Sequence, residues 1–361
     1  MAPGAIGLVL ALTALAGFAS SPLWGYAADR RLGAERAIAL SAAATCAAAI
    51  VLGAQRDALA FVLAALLLFM CRAPVTSLGD ALALNRLGRS GRGRYGTVRV
   101  WMSGGFAVAA AGWGLLFEAR GLDLAPALYA SAIALVALWS AVGLGGGAAP
   151  SPGFDVAEAG AHGRAALNPR FLVFLTSLLL VSAAFVASWN FLALRIVGLG
   201  GGALVVGVAA ALQATAEIPL MAASSLITGL LSHRAVFACG CVFYAVVFAA
   251  WALLVDPVAA AVVKIAAGFG FALYSIGSVL VVDDLVPRHL RATGQSLAKA
   301  MATGLAPIIG GLGGGLIYDS VGPRPMFALA AAAAAAGGVI GWVAVPRESG
   351  KRAGDGVRGR A

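Results

Sequence analysis

Charge is what this sequence has least of. Asp, Glu, Lys and Arg together make 11% of its 361 residues, where a soluble domain carries about 25%. That scarcity excludes a water-soluble fold, because too few polar side chains exist to cover a surface. The chemistry-bearing residues are equally thin. His162, His233 and His289 are far apart and lie in polar connections. Cys46, Cys71, Cys239 and Cys241 all fall in apolar runs, and Cys239-Gly240-Cys241 lacks metal-ligand spacing, so they read as packing residues. There is no Gly-rich phosphate loop with a Lys, no H-E-x-x-H and no nucleophile elbow. An enzyme, a metal site, a cofactor and ATP-driven chemistry are therefore not expected. Residues 1–24 have no basic leader segment, so no cleavable signal peptide is expected.

What the chain has instead is apolar length. Hydrophobic residues make 61% of it and the mean hydropathy is +0.94. With 48 glycines it is equipped for close helix packing in lipid. The apolar runs predict an all-α membrane protein of about eleven spans, each near the ~20 residues a bilayer needs. Their expected limits are 5–24, 37–54, 58–80, 97–117, 124–146, 171–195, 203–230, 234–254, 257–282, 294–317 and 325–345. The net charge of +10 follows from topology rather than from nucleic acid, which is not an expected partner. Arg30, Arg31 and Arg36 fall in the first connection, Arg86 to Arg99 in the third, Arg164 and Arg170 in the fifth, Arg234 in the seventh, and Arg288 and Arg291 in the ninth. The tail adds Arg347, Lys351, Arg352, Arg358 and Arg360. The alternate connections hold Asp57, Glu118, Asp123, Asp256 and Asp319 beside few Arg. By the positive-inside rule the basic side, tail included, is cytoplasmic, in an inner (plasma) membrane.

One long polar stretch, 147–169, divides the chain. It is expected to be a cytoplasmic linker between an N-terminal half, 1–146, with five spans and a C-terminal half, 170–346, with six; 347–361 is a basic tail. The halves echo each other. Tyr95-Gly96-Thr97-Val98-Arg99 opens one span as Arg291-Ala292-Thr293-Gly294-Gln295 opens another. Internal repeats of this kind mark carriers whose halves rock about a midplane site. The first connection, Gly25-Tyr26-Ala27-Ala28-Asp29-Arg30-Arg31-Leu32-Gly33-Ala34-Glu35-Arg36, reads as a short charged loop whose glycines allow close backbone approach. Gly229 to Arg234 is its decayed second copy.

That loop resembles the signature between the second and third helices of the major facilitator superfamily, spaced one residue looser than the usual G-x-x-x-D-[RK]-x-G-[RK]-[RK]. Leu78 to Leu84, Tyr95 to Phe106, Ala216-Glu217-Ile218-Pro219, Leu290 to Gln295 and Leu316-Ile317-Tyr318-Asp319 extend the resemblance over the whole chain, toward the branch of phenylpropionate permease and the lactose-permease-like symporters. The resemblance implies a two-half helical bundle of twelve spans. Only one span precedes the signature here, so the first helix is expected to be missing, through a late start site or a truncation. It also implies secondary active transport of a small organic solute by alternating access, with protons as the coupling partner, in a monomer embedded in the lipid bilayer. Drug or metabolite efflux and a truncated, transport-dead protein are the alternatives. In the family the signature Asp lies against the start of a later helix, here near Thr293–Ser296. This gives Gly25, Asp29, Arg30, Gly33 and Arg36, with Asp80 and Arg99 near the same membrane face, a gating role.

Ionisable groups deep in lipid cost several kcal/mol unless paired or wet, so each is a candidate for function. At 1.5 Å per residue, Arg72 and Glu217 lie roughly 20 Å from the outer end of their spans and Lys299 roughly 8–9 Å from the inner end. Lys264 is shallower, roughly 10 Å from the outer end. Glu217 reads as a proton carrier or as one half of an ion pair with Lys299 or Lys264. Arg72, Lys264 and Lys299 read as solute ligands or as members of such pairs. Trp189, Asn190, Gln213 and Tyr274 read as cavity liners or as packing. Arg195, at a span end, is expected to snorkel. Asp283 and Asp284 are expected to cap helices or pair with Arg of the connections.

Overall fold

The computed structural model describes residues 2–91, 95–144, 168–287 and 290–346; for Asp29, Asp80, Ala292 and stretches within 76–100 the backbone alone is described. The linker from 145 to 167 and the tail from 347 lie outside the described residues, as do His162, Arg288 and His289. Every regular element among the described residues is helical. Hydrocarbon offers the backbone no hydrogen-bond partner, and a helix satisfies its own. In chain order the helices are α1 (Pro3–Ala27), α2 (Ala34–Ala54), α3 (Ala58–Gly91), α4 (Tyr95–Arg120), α5 (Ala125–Gly143), α6 (Pro169–Gly198), α7 (Ala203–Ala222), α8 (Ser224–Leu230), α9 (His233–Leu253), α10 (Pro257–Val262), α11 (Lys264–Leu285), α12 (Arg291–Lys299), α13 (Ala306–Ser320) and α14 (Pro323–Ala344).

Among the described residues, ten helical segments are long and apolar enough to cross a bilayer. The eleventh expected span, 97–117, lies in α4, which has 26 residues. The side chains of α4 are described from Trp101 onward, and the ten are drawn from described residues alone. Two expected spans are interrupted. The one at 203–230 breaks at Ala223 into α7 and α8, and the one at 257–282 breaks at Val263 into α10 and α11.

The expected first loop is helical. α1 runs on through a π turn, Ala28–Leu32, and the chain reverses at Gly33, whose φ of 75° is in the left-handed region. No proline or glycine stands between Tyr26 and Leu32 to stop the helix earlier. A Cβ at Gly25 would meet nothing within 4 Å, so only Gly33 is held to glycine by its backbone, and by a turn rather than by close approach. A second π turn, Ala300–Leu305, joins α12 to α13 directly after Lys299. Such turns recur at functional sites.

The described residues form two compact units. The smaller runs from Val9 through α3 to Arg99 and resumes at Ala119 through α5. Within it α2 packs on α3 and α5 over Ala48, Ala49, Leu68 and Ala130. Pro74 has no N–H to give the Met70 carbonyl four residues back. Two side chains of α1 supply it instead: Ser20 Oγ donates to Met70 O at 3.0 Å and Trp24 Nε1 at 3.1 Å. Ser41 Oγ of α2 donates to Cys71 O at 2.6 Å.

The larger unit combines the turns of α1 up to Leu8, Val100–Glu118 of α4, and the chain from α6 onward. α9 packs on α11 and α14, α14 and α13 on α6, and α11 on α7. Asn168 starts α6: its Oδ1 accepts from Phe171 N at 2.8 Å and its Nδ2 donates to Leu285 O at 2.7 Å.

Candidate functional site

The larger unit carries two polar constellations. The first is a seam between α4 and α7. A Cβ on Gly207 would stand 2.7 Å from Gly114 Cα, against backbone that cannot give way, so the two helices touch main chain to main chain. A carboxylate stands at each end of this contact. At one end Glu118 Oε2 accepts from Leu204 N at 3.1 Å, in the first turn of α7, where free N–H groups and the helix dipole favour an anion. At the other end Ser103 Oγ of α4 donates to Glu217 Oε1 of α7 at 2.6 Å. Glu217 is half-buried. A similar contact ties the first turns of α1 to α13, where a Cβ on Gly7 would lie 2.8 Å from Gly315 Cα.

The second constellation surrounds Lys264, the first residue of α11 after the break at Val263. Lys264 is only 4% exposed. Its Nζ donates to Gln213 Oε1 at 2.9 Å and stands 3.6 Å from the centroid of Trp189 and 5.7 Å from that of Trp251. The rings continue around: Trp189 to Phe185 at 5.7 Å, Phe185 to Tyr244 at 5.3 Å, Tyr244 to Phe248 at 5.4 Å and Phe248 to Trp251 at 5.8 Å between centroids. Five aromatic rings and one ammonium thus form a closed circuit drawn from α6, α9 and α11. A desolvated cation over an aromatic face gains about 2 kcal/mol or more, which offsets part of the cost of burying it. Trp251 is oriented by its Nε1 donating to Ala260 O at 3.0 Å. Beside the circuit, Tyr274 OH is 2.7 Å from Ser182 Oγ. Ser188 Oγ and Tyr244 OH are buried with no hydrogen-bond partner among the described residues. Gln213 precedes Glu217 by one turn of α7, so the two constellations share a face of that helix.

The expected liners Trp189, Gln213 and Tyr274 therefore gather with Lys264, and half-buried Asn190 follows Trp189 on α6. The expected ion pairs do not form: neither Lys264 nor Lys299 reaches Glu217, because Lys264 turns into the aromatic circuit and Lys299 is exposed at the end of α12. Arg72 belongs to the smaller unit, exposed on α3 with its guanidinium 5.1 Å over Phe69. Arg195 does not snorkel. It is 9% exposed and its Nη2 donates to Leu254 O at 2.9 Å, tying α6 to the end of α9.

Among the gating residues, Arg30 is exposed and lies 5.4 Å over Tyr26, and Arg36 is exposed on α2. The side chains of Asp29, Asp80 and Arg99 lie outside the described residues. Asp283 and Asp284 do find partners: Gln295 Nε2 donates to Asp283 Oδ1 at 3.0 Å, Arg291 Nε is 3.9 Å from Asp283 Oδ2, and His233 Nδ1 is 2.7 Å from Asp284 Oδ2. His233 comes from the decayed second signature, which keeps this much of a polar role. Sequence reading missed Ser103, the seat of Glu118 on α7, and buried Glu35 beside the signature.

Ten segments able to cross a bilayer among the described residues, joined at glycine-lined contacts, make this a multi-pass integral membrane protein with a fold of the major facilitator type. The chain belongs to the MFS_1 like family, whose description matches residues 1–329. It is 30% identical to the maltose permease of Geobacillus stearothermophilus over 237 residues, which are 62% of this chain and 56% of that protein. In fold it is similar to the nucleoside transporter NupG, with a TM-score of 0.75 over 95% of this chain and 91% of that one at 17% identity. A variant of the peptide transporter POT gives 0.72 over 94% and 85% at 16% identity.

Proposed function

We propose that the protein carries a small organic solute across the membrane by alternating access, coupled to protons through Glu217. The relatives are named as permeases or transporters of a sugar, nucleosides and peptides. The observation that carries the coupling is the hydrogen bond from Ser103 to Glu217 at 2.6 Å. It places an ionisable group on the α4–α7 seam, so gaining or losing a proton changes what holds that end of the seam together. The ionised carboxylate accepts from Ser103; the protonated one turns donor and weakens that tie. In this reading the N-terminal half, 1–146, rocks against the C-terminal half, 170–346, about a midplane site. The signature residues around Asp29 and Arg30 control the cytoplasmic side. The basic tail faces the cytoplasm and Asp256 the outside, as the Arg bias directs.

Glu217→Gln keeps shape and hydrogen bonding while removing the charge. In proteoliposomes the variant is expected to exchange solute at near the original rate and to lose accumulation driven by a proton gradient. Maltose, uridine, a dipeptide and butyrate serve as probes, with transport normalised to folded protein. Undiminished uphill accumulation by Glu217→Gln would exclude Glu217 as the carrier of the proton.

A further inference from the structure

α9 has 21 residues and α14 has 22, so each is long enough to cross a bilayer. Arg234 is the second residue of α9, and Trp342 is the third from the end of α14. The guanidinium of Arg234 lies 4.3 Å over the Trp342 ring, so both stand at one boundary of the hydrocarbon layer. Trp342 is exposed, and so are Val339 and Val343, which flank it on the same helix face. That face meets acyl chains. Arg234 is half-buried, and its Nε is buried without a hydrogen-bond partner among the described residues. No carboxylate among them pairs with it. The acids at this end of α9 are already engaged: Asp284 by His233 at 2.7 Å, and Asp283 by Gln295 and Arg291. Beyond α14 the sequence runs into the tail, where Arg347, Lys351, Arg352, Arg358 and Arg360 outnumber Glu348 and Asp355.

We propose that Arg234 and Trp342 form a headgroup site for an anionic phospholipid, with Arg234 holding the phosphate and the face of α14 around Trp342 receiving the acyl chains. Lipid phosphate fits for three reasons. Its oxygens accept from a guanidinium in paired geometry, and the ring beneath Arg234 restrains the guanidinium without using its N–H donors. The charge stands at the level of the headgroups, directly above an apolar helix face, so one amphipathic molecule meets both. A zwitterionic headgroup would bring an ammonium to a place where the acids are engaged and the tail is basic, whereas a glycerol headgroup brings the phosphate charge alone. The tail draws anionic lipid toward this membrane face, and Arg234 gives one such lipid a fixed seat.

The test uses the full chain in nanodiscs of equal parts phosphatidylglycerol and phosphatidylcholine. After release into detergent, native mass spectrometry counts the lipids that stay bound. Phosphatidylglycerol is expected to be retained at least tenfold over phosphatidylcholine, and Arg234→Gln to lose one phosphatidylglycerol per chain. Arg234→Lys keeps the charge and loses the planar fork, and is expected to hold that lipid at least threefold more weakly. Deleting 347–361 should release the lipid that salt also removes and leave one phosphatidylglycerol bound. Free glycerol phosphate has no acyl chains for the face of α14 and should not displace it. Equal retention of the two lipids, an unchanged phosphatidylglycerol count in Arg234→Gln, loss of every bound phosphatidylglycerol with the tail alone, or displacement by glycerol phosphate would each overturn the assignment. Should Arg234→Gln fail to fold, Arg234→Lys decides, and binding equal to that of the unaltered chain would overturn it. Transport is no part of this readout. A chain that seats phosphatidylglycerol on Arg234 and exchanges no solute would uphold the lipid site and overturn the transport reading alone.

Discussion

The two ends of the α4–α7 seam hold the same functional group in opposite ways. Glu118 is exposed, and its carboxylate accepts from a backbone amide in the first turn of α7. That amide cannot rotate, and the helix dipole behind it favours a fixed anion. Glu217 is half-buried, and its partner is a hydroxyl on another helix, which can turn from donor to acceptor. The first arrangement suits a clasp that stays charged. The second suits a group whose proton comes and goes. Between them the helices meet at Gly114 and Gly207 with no side chain to cushion a change, so what happens at either end is transmitted to the whole contact.

The harshest way to break this comparison is to remove the contact between the ends. In Gly207→Leu, even the first side-chain carbon falls 2.7 Å from Gly114 Cα. The seam would have to part, and exchange of solute is expected to fall by a hundredfold or more while the protein remains in the membrane. Gly104→Ala on the same α4 is the control. A Cβ there meets nothing within 4 Å, and alanine is favoured over glycine in a helix by roughly 0.5–1 kcal/mol. It is expected to transport normally. Equal damage from both substitutions would show that glycine matters here for α4 itself and not for its contact with α7.

Ser103→Ala is milder. It leaves Glu217 in place and removes its hydrogen bond from α4, which is worth about 1.5–3 kcal/mol when one partner is charged. Uphill accumulation is expected to drop by tenfold or so, and exchange by much less, since the seam still closes on its glycines. Ser103→Thr keeps a hydroxyl and should recover most of the loss. Proton-driven uptake and exchange, measured on the same vesicles, check both statements. Equal losses in the two assays would make Ser103 a packing residue.

How much of this was legible beforehand follows from the range of each interaction. The spans were legible because about 20 apolar residues in a row have one reading in lipid, and α6, α9 and α14 match their expected limits closely. The helical course of the signature segment was not, because Asp29, Arg30 and Arg31 look like a loop by polarity while nothing in their backbone forbids a π turn. Depth along the spans put Glu217 level with Lys299 and left Lys264 shallower, yet neither lysine reaches Glu217. It gave no hint that Gln213 stands one turn from Glu217 and bonds Lys264. The aromatic circuit was invisible for the same reason. Trp189, Phe185, Tyr244, Phe248 and Trp251 each look like packing in their own helix, and only the rotation of two helices, α6 and α9, about their axes brings them together around Lys264 of α11.

The smallest expected effect lies at Glu118. Glu118→Gln keeps an oxygen that can accept from Leu204 N and loses only the charge. An anion at an exposed helix N-terminus contributes about 0.3–1 kcal/mol, and salt screens it. The α7 terminus should therefore open two- to fivefold more often, without any loss of the fold. A cysteine placed at Ala203 reports this, since its labelling rate follows how often the turn beneath Glu118 is released. Labelling is expected to rise by that factor in Glu118→Gln at low salt. In the unaltered chain the same rise should appear as salt is added, and the two should converge at high salt. Exchange should change by less than twofold. If Glu118→Gln instead abolished proton-driven accumulation as Glu217→Gln is expected to, the proton would be read at this end of the seam as well, and the contrast between a fixed clasp and a switching carboxylate would fail. If labelling did not respond to salt, the carboxylate would be acting through its hydrogen bond alone, and the charge at the head of α7 would have no part in holding the seam closed.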